Sequence, residues 1–266
     1  MIHSIPFKNS KIRFSDEGSG EAVALLHGYL ESLEIWDGFA ERLTPHYRVI
    51  RMDIPGHGES GVVAEVHGMD LMSEAVNAVL AHLGITRCVP VGHSMGGYVS
   101  LAYLANYPER LAGLCLFHSS PLADSPEKQA MRDKEIRLVQ GGKLPLICDT
   151  SIPNGFASES RDKLSAAVEY ACRIAHRTPP EGVTAILKGM RDRPDRQEML
   201  GKNTLPLLFI LGKKDSYIDF DRFAPLAASF PHSRVAALEH SGHSGYFEEP
   251  EQSAEALLSF LKECFH

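Results

Sequence analysis

Nowhere in the 266 residues does an apolar run approach the roughly 18 to 20 residues that a membrane-spanning helix requires, and Met1–Phe14 lacks the apolar stretch of a secretory signal. A cytoplasmic protein that works away from membranes is the expectation. Paired cysteines are missing as well. The five present (Cys88, Cys115, Cys148, Cys172 and Cys264) are an odd number with no CxxC spacing, which argues against a disulfide framework or a zinc site. Cys88 and Cys115 fall in apolar strand-like runs, where a small buried thiol is the ordinary expectation. Positive charge is short: 27 Lys and Arg against 34 Asp and Glu give a formal charge of −7, so nucleic acid is not the expected partner. Glycine (22) and proline (16) show no fibrous or low-complexity excess, and no internal repeat is evident. With 44% hydrophobic residues the chain can bury a core unaided, as one large domain or two small ones.

What is present is alternation. Short apolar runs at Ala22 to Leu26, Tyr47 to Met52, Cys88 to Val91, Leu111 to Phe117, Leu205 to Leu211 and Arg234 to Leu238 read as strands. Their nearly continuous apolar character suits central strands covered by helices on both faces. Ile12 to Asp16 alternates more and predicts an antiparallel start. Between the runs, Asp70 to Leu83 sets Leu71, Ala75, Ala78, Val79 and Leu83 on one helical stripe, with Gly84 where a left-handed residue ends a helix. Met95 to Asn106 and Pro250 to Phe265 are helix-like in the same way. Trp36, the one tryptophan, shares a helical stripe with Phe39 and Leu43 and is expected in the core. Strand and helix in turn imply a doubly wound, mostly parallel sheet.

The alternation stops from Pro121 to about Lys202, where seven prolines punctuate charged, helix-compatible sequence. This predicts an inserted helical cap over 121–202, with a core built from 1–120 and 203–266. The insertion carries 14 Lys and Arg against 12 Asp and Glu, which reads as a solvated helical surface, with a field that steers anionic substrates as the alternative.

Chemistry concentrates at strand ends. Gly92-His93-Ser94-Met95-Gly96 is a G-x-S-x-G that follows an apolar strand and opens a helix, the context in which a serine is thrust out on a sharp turn. The glycines keep the turn free of collisions, and Ser94 is the candidate nucleophile. A dinucleotide-binding loop is disfavoured because G-x-G-x-x-G is absent. A serine hydroxyl needs a base and the base an orienting carboxylate. Asp215 follows the run Leu205 to Leu211, and His243 follows Arg234 to Leu238. Asp219 competes with Asp215, and His240 with His243. Gly242 before the histidine and the Pro250 helix after it favour His243, while Asp219 suits a loop cap.

Hydrolysis also needs donors where negative charge develops on the carbonyl oxygen. The backbone amide of Met95 is one candidate and that of Tyr29, in Leu26-His27-Gly28-Tyr29, the other; His27 is assigned a structural role. Asp53-Ile54-Pro55-Gly56-His57-Gly58 reads as a tight turn in which Asp53 accepts backbone amides and His57 is a surface or turn residue.

Together His27-Gly28-Tyr29, Asp53 to Ser60, Gly92 to Gly97, Asp215 and Gly242-His243 resemble the α/β-hydrolase fold superfamily, over nearly the whole chain. The resemblance implies an eight-stranded, mostly parallel sheet with a helical cap after the sixth strand. It implies Ser94, Asp215 and His243 as the catalytic triad and the Tyr29 and Met95 amides as the oxyanion hole. Relatives that break carbon–halogen bonds or epoxides carry aspartate in place of Ser94, so acyl transfer remains: a serine hydrolase of a small, soluble carboxylic ester, with no cofactor and no metal expected. Cleavage of a carbon–carbon bond or a lactone by the same triad is the runner-up, and a weakly catalytic ligand receptor is the alternative of another kind. Oligomeric state stays open.

Overall fold

The computed structural model describes residues 1–265. Eight strands, β1 (Ile2–Phe7), β2 (Ser10–Glu17), β3 (Ala22–Leu26), β4 (Arg48–Met52), β5 (Cys88–His93), β6 (Leu114–Phe117), β7 (Leu207–Gly212) and β8 (Ser233–Leu238), form one sheet in the order β1-β2-β4-β3-β5-β6-β7-β8. β1, β2 and β4 pair antiparallel; every pair from β4 across to β8 is parallel. This is a doubly wound α/β sheet. The chain adds β4 on one side of β3 and β5 on the other, so the loops after β3 and β5 diverge and leave a crevice at the carboxyl edge between them.

The helices are α1 (Asp37–Ala40), α2 (Met69–His82), α3 (Met95–Asn106), α4 (Pro126–Gln140), α5 (Leu144–Gly155), α6 (Ser165–Ala175), α7 (Pro180–Arg191), α8 (Gln197–Gly201), α9 (Phe220–Ser229), α10 (Gly245–Glu248) and α11 (Pro250–Phe265). Between β6 and β7 the chain runs through α4 to α8 without entering the sheet, with α4 packed on α7 and α5 on α6.

The continuous apolar runs are explained by two cores. Successive residues of a strand point to opposite faces. Val23, Leu25, Val49, Val89 and Val91 face Trp36, Phe39 and, from α11, Leu257, Phe260 and Leu261. Ala22, Ala24, Leu26, Ile50 and Met52 face Met72, Val76 and Val79 of α2 and Val99, Ala102 and Tyr103 of α3. Both faces are dry, so neither set can be polar.

Three details differ from the sequence reading. β1 precedes the first expected strand; it lies at the sheet edge with only Ile5 buried, and therefore carries no apolar alternation to detect. The buried stripe of α2 is centred on Met72, Ala75, Val76 and Val79, leaving Leu71, Ala78 and Leu83 at its margin. Trp36 closes a 3₁₀ turn, Leu33–Trp36, and Phe39 belongs to the short α1; with Leu43 both are nonetheless fully buried.

Leu257 is completely buried on α11, remote from the strand ends that carry the chemistry. Leu257→Ala should cost about 2–5 kcal/mol of unfolding free energy through lost transfer and a residual cavity. Urea denaturation checks this; a loss below 1 kcal/mol would contradict the packing described.

Candidate active site

Ser94 sits between β5 and α3 with φ +49° and ψ −112°, outside the regions that a side-chain-bearing residue prefers. Its neighbours make that possible. A Cβ added to Gly92 would lie 2.3 Å from the Gly96 carbonyl oxygen, and one added to Gly96 would lie 2.2 Å from that of Leu26, so neither position can be anything but glycine. The Ser94 amide donates to the Phe117 carbonyl (2.9 Å), and the Ser119 hydroxyl donates to the Ser94 carbonyl (2.7 Å), which fixes the turn from the adjacent strand.

Asp215 lies three residues past β7 with its side chain only 1% exposed. Its carboxylate is fully occupied. Oδ1 accepts the amides of Tyr217 (2.8 Å) and Ile218 (2.9 Å), and Oδ2 accepts from His243 Nδ1 (2.7 Å). A second ring, His118, places Nδ1 3.3 Å from the same Oδ2. Those donors hold the acid well below the usual carboxylate range despite its burial. His118 meets a backbone amide donor at each nitrogen, Gly212 at Nδ1 (3.2 Å) and Gly245 at Nε2 (3.1 Å), so the ring is neutral, and burial pushes its pKa down to about 4. With Nδ1–H of His243 committed to Asp215, its Nε2 is the nitrogen left to accept a proton.

His118, Asp215 and His243 also bring their ligand atoms within 4.8 Å of one another. The set does not suit a metal ion. The His243 Nδ1 proton is aimed at Asp215, and both nitrogens of His118 face backbone amide donors, so too few open lone pairs converge.

A further buried pair ties the surrounding loops together. His93 Nδ1 meets Glu31 Oε2 (2.9 Å) and Nε2 meets the His243 carbonyl (2.8 Å). Both partners can only accept, so both ring nitrogens donate and His93 is an imidazolium. Glu31 also accepts from the Gly28 amide (2.5 Å) and the Tyr246 hydroxyl (2.9 Å). Burial opposes both charges, but mutual attraction and these bonds prevail: Glu31 is lowered to about 2 and His93 is raised. The pair thus joins the loop after β3, the turn bearing Ser94 and the loop bearing His243.

Ser94, His243, Tyr29, Glu31 and His93 line one cavity of about 470 Å³, closed on its far side by residues of α4, α5 and α7. Among the described residues no protein acceptor takes the amide of Tyr29 or of Met95. The His243 amide donates to the Gly155 carbonyl at the end of α5 (2.5 Å), linking the β8 loop to the inserted helices.

The family profile described as alpha/beta hydrolase fold matches residues 21–141. A thermophilic esterase from Thermogutta terrifontis superposes over 100% of both chains with a TM-score of 0.95 and 29% identity. The chain belongs to the α/β-hydrolase fold superfamily. It is 28% identical to a 2-hydroxy-6-oxononadienedioate/2-hydroxy-6-oxononatrienedioate hydrolase of Paraburkholderia phymatum, over 94% of this chain and 91% of that protein. It is 31% identical, over 91% of its length, to a dihydrolipoyllysine-residue acetyltransferase component of an acetoin cleaving system from Pseudomonas putida, of which it spans only 64%. Of these three relatives, the two matched over nine-tenths or more of their own length are a hydrolase and an esterase, which supports an enzyme of the hydrolase class.

Within this α/β-hydrolase the competing residues have other work. Asp219 caps α9 by accepting the Arg222 amide, and the His240 side chain is 78% exposed. Asp53 accepts the amides of Leu33 and Glu59 and an Arg13 guanidinium N–H, as its turn requires. His27 accepts the Ile54 amide at Nε2. His57 differs from the surface expectation: it is fully buried against the His27 ring, and burial pushes its pKa well below normal. Glu31, His93 and His118 were not legible as site residues. The one available signal was position, since His93 is the first x of G-x-S-x-G and His118 directly follows β6.

The Glu31–His93 pair defines a pH window. A lowered carboxyl contributes stability above its unfolded pKa, about 4.5, and loses it as pH falls through the folded value; a raised histidine contributes below its unfolded pKa, about 6.5, and loses it as pH rises through the folded value. Glu31→Gln should therefore destabilise most between about pH 4.5 and 6.5, by about 3–5 kcal/mol, with a smaller gap on either side. Urea titrations of both proteins from pH 3 to 9 test this; a gap independent of pH would contradict the charged pair.

Proposed function

We propose that this protein is a serine hydrolase that cleaves a small carboxylic ester through an acyl-enzyme, with a core of 1–120 and 203–266 and a helical cap of 121–202 over the site. The observation that carries the reading is the 2.7 Å bond from His243 Nδ1 to buried Asp215, with Ser94 and His243 on the wall of one cavity. In this scheme His243 Nε2 removes the Ser94 hydroxyl proton as Oγ attacks the carbonyl carbon, and returns it to the departing alcohol. Asp215 holds the tautomer and balances the transient imidazolium. The Tyr29 and Met95 amides receive the oxyanion, where a single lost donor typically costs about 10²–10³ in rate. Water, activated by the same imidazole, then releases the acid.

Cleavage of a carbon–carbon bond or a lactone by the same groups is the second reading, favoured by the relative named for an oxo-dienedioate substrate. A receptor that binds without turnover is the third; the complete bonding of Asp215 to its histidine favours catalysis over it.

Short-chain p-nitrophenyl esters, a vinylogous diketone and a lactone, assayed with wild type and Ser94→Ala, separate these readings. The ester reading expects the highest kcat/KM on an ester, and a loss of at least about 10³ in Ser94→Ala with folding intact. Faster turnover of the diketone or lactone than of every ester, or an Ser94→Ala variant that keeps its rate, would contradict it.

A further inference from the structure

The scheme proposed for Ser94 leaves unused a group of charges on the opposite wall of its cavity. α4 contributes Lys128, Met131, Arg132, Glu135 and Leu138 to the lining, residues three and four apart that share one helical face. Charges placed beside apolar groups such as Ile147, Ile152 and Ile218 cost free energy unless each has a partner. The partners are unevenly shared. Glu135 accepts the Tyr29 hydroxyl (2.9 Å). Arg193 does not line this cavity and is held elsewhere: Nη1 donates to the Met190 carbonyl (2.8 Å) and lies 2.7 Å from Asp124, Nε donates to the Leu122 carbonyl (3.2 Å), and the guanidinium covers the Tyr98 ring at 3.9 Å.

Arg132 lines the cavity and is only partly paired. It shares buried Asp124 with Arg193, giving only Nε to it (3.1 Å). Among the described residues neither of its Nη atoms has a protein acceptor, although the side chain is only 14% exposed. One carboxylate between two guanidinium groups leaves a positive charge in excess, and the free fork of planar donors belongs to the arginine that lines the cavity. Such a fork matches a carboxylate in two parallel hydrogen bonds. Lys128, on the same face, adds a second cation, which outweighs the one carboxylate of Glu135.

Resting on the ester reading, we infer that Arg132 is the anchor of a carboxylate-binding subsite, and that the substrate is an ester bearing a free carboxylate separated from the scissile carbonyl by an apolar chain. Apolar side chains of the same lining, among them Ile147, Ile152 and Ile218, hold the chain, and Arg132 selects the charge.

The test compares kcat/KM for two probe series. Monomethyl esters of C4 to C8 dicarboxylic acids carry the charge on the acyl side, and butanoyl esters of ω-hydroxy acids carry it on the alcohol side; each is set against its neutral primary-amide counterpart. Wild type should favour the carboxylate at least tenfold at one length of one series. Arg132→Gln should lower that charged-to-neutral ratio at least tenfold, and Arg132→Lys should restore part of it. Preference for the amide at every length in both series, or an equal loss on charged and neutral probes in Arg132→Gln, overturns the subsite while leaving the ester reading intact. If Arg132→Gln does not fold, Glu135→Gln decides: removal of the competing carboxylate should raise the ratio, and an unchanged or lower ratio overturns the subsite. Absence of turnover on charged and neutral esters alike removes the ester reading and the subsite together.

Discussion

The site depends on how one carboxylate is held. Asp215 is buried beneath the strand ends, and its two oxygens accept from two backbone amides and the His243 imidazole, with the His118 ring 3.3 Å from Oδ2. A charge so far from water survives only because every lone pair direction is met. The backbone bonds come from its own loop, so the acid is oriented without either histidine. His118, neutral and facing the Gly212 amide at Nδ1 and the Gly245 amide at Nε2, ties the end of β7 to the start of α10 beside the carboxylate. His243 is offered a fixed acceptor at Nδ1, and among the described residues its Nε2 has no protein partner.

Around that centre the chain uses charge where a core would ordinarily use apolar packing. The Glu31–His93 pair joins three loops that the sheet alone brings only into proximity: the loop after β3, the turn at Ser94 and the segment at His243. The two buried histidines nearest Ser94 and His243 hold opposite protonation states, each dictated by its partners, two acceptors for His93 and two backbone donors for His118. Contact with the inserted helices is equally close. A Cβ on Gly242 would lie 2.6 Å from the Ala157 amide nitrogen, and His243 bonds to Gly155, so the loop carrying His243 packs directly on the end of α5.

Much of this was legible in the sequence, for reasons that are physical. Strands covered on both faces must be continuously apolar, which exposes β3 to β7 as runs, whereas the edge strand β1 buries only Ile5 and leaves no pattern. Ser94, Asp215 and His243 stand out because strand ends and obligate glycines mark them. His93 and Glu31 do not, because their roles come from partners 62 residues apart and from a carbonyl 150 residues away, which no local spacing reveals. Charge along α4 misleads in a similar way. Read as composition it describes a solvated surface, yet Lys128, Arg132 and Glu135 line the same cavity as Ser94 and His243.

The most direct measurement is a crystal structure of the protein after reaction with a small fluorophosphonate. The account predicts a phosphorus bonded to Ser94 Oγ, a phosphoryl oxygen about 2.7–3.1 Å from the Tyr29 and Met95 amide nitrogens, and His243 still bonded to Asp215. An adduct on another residue, or a phosphoryl oxygen turned away from both amides, would contradict it.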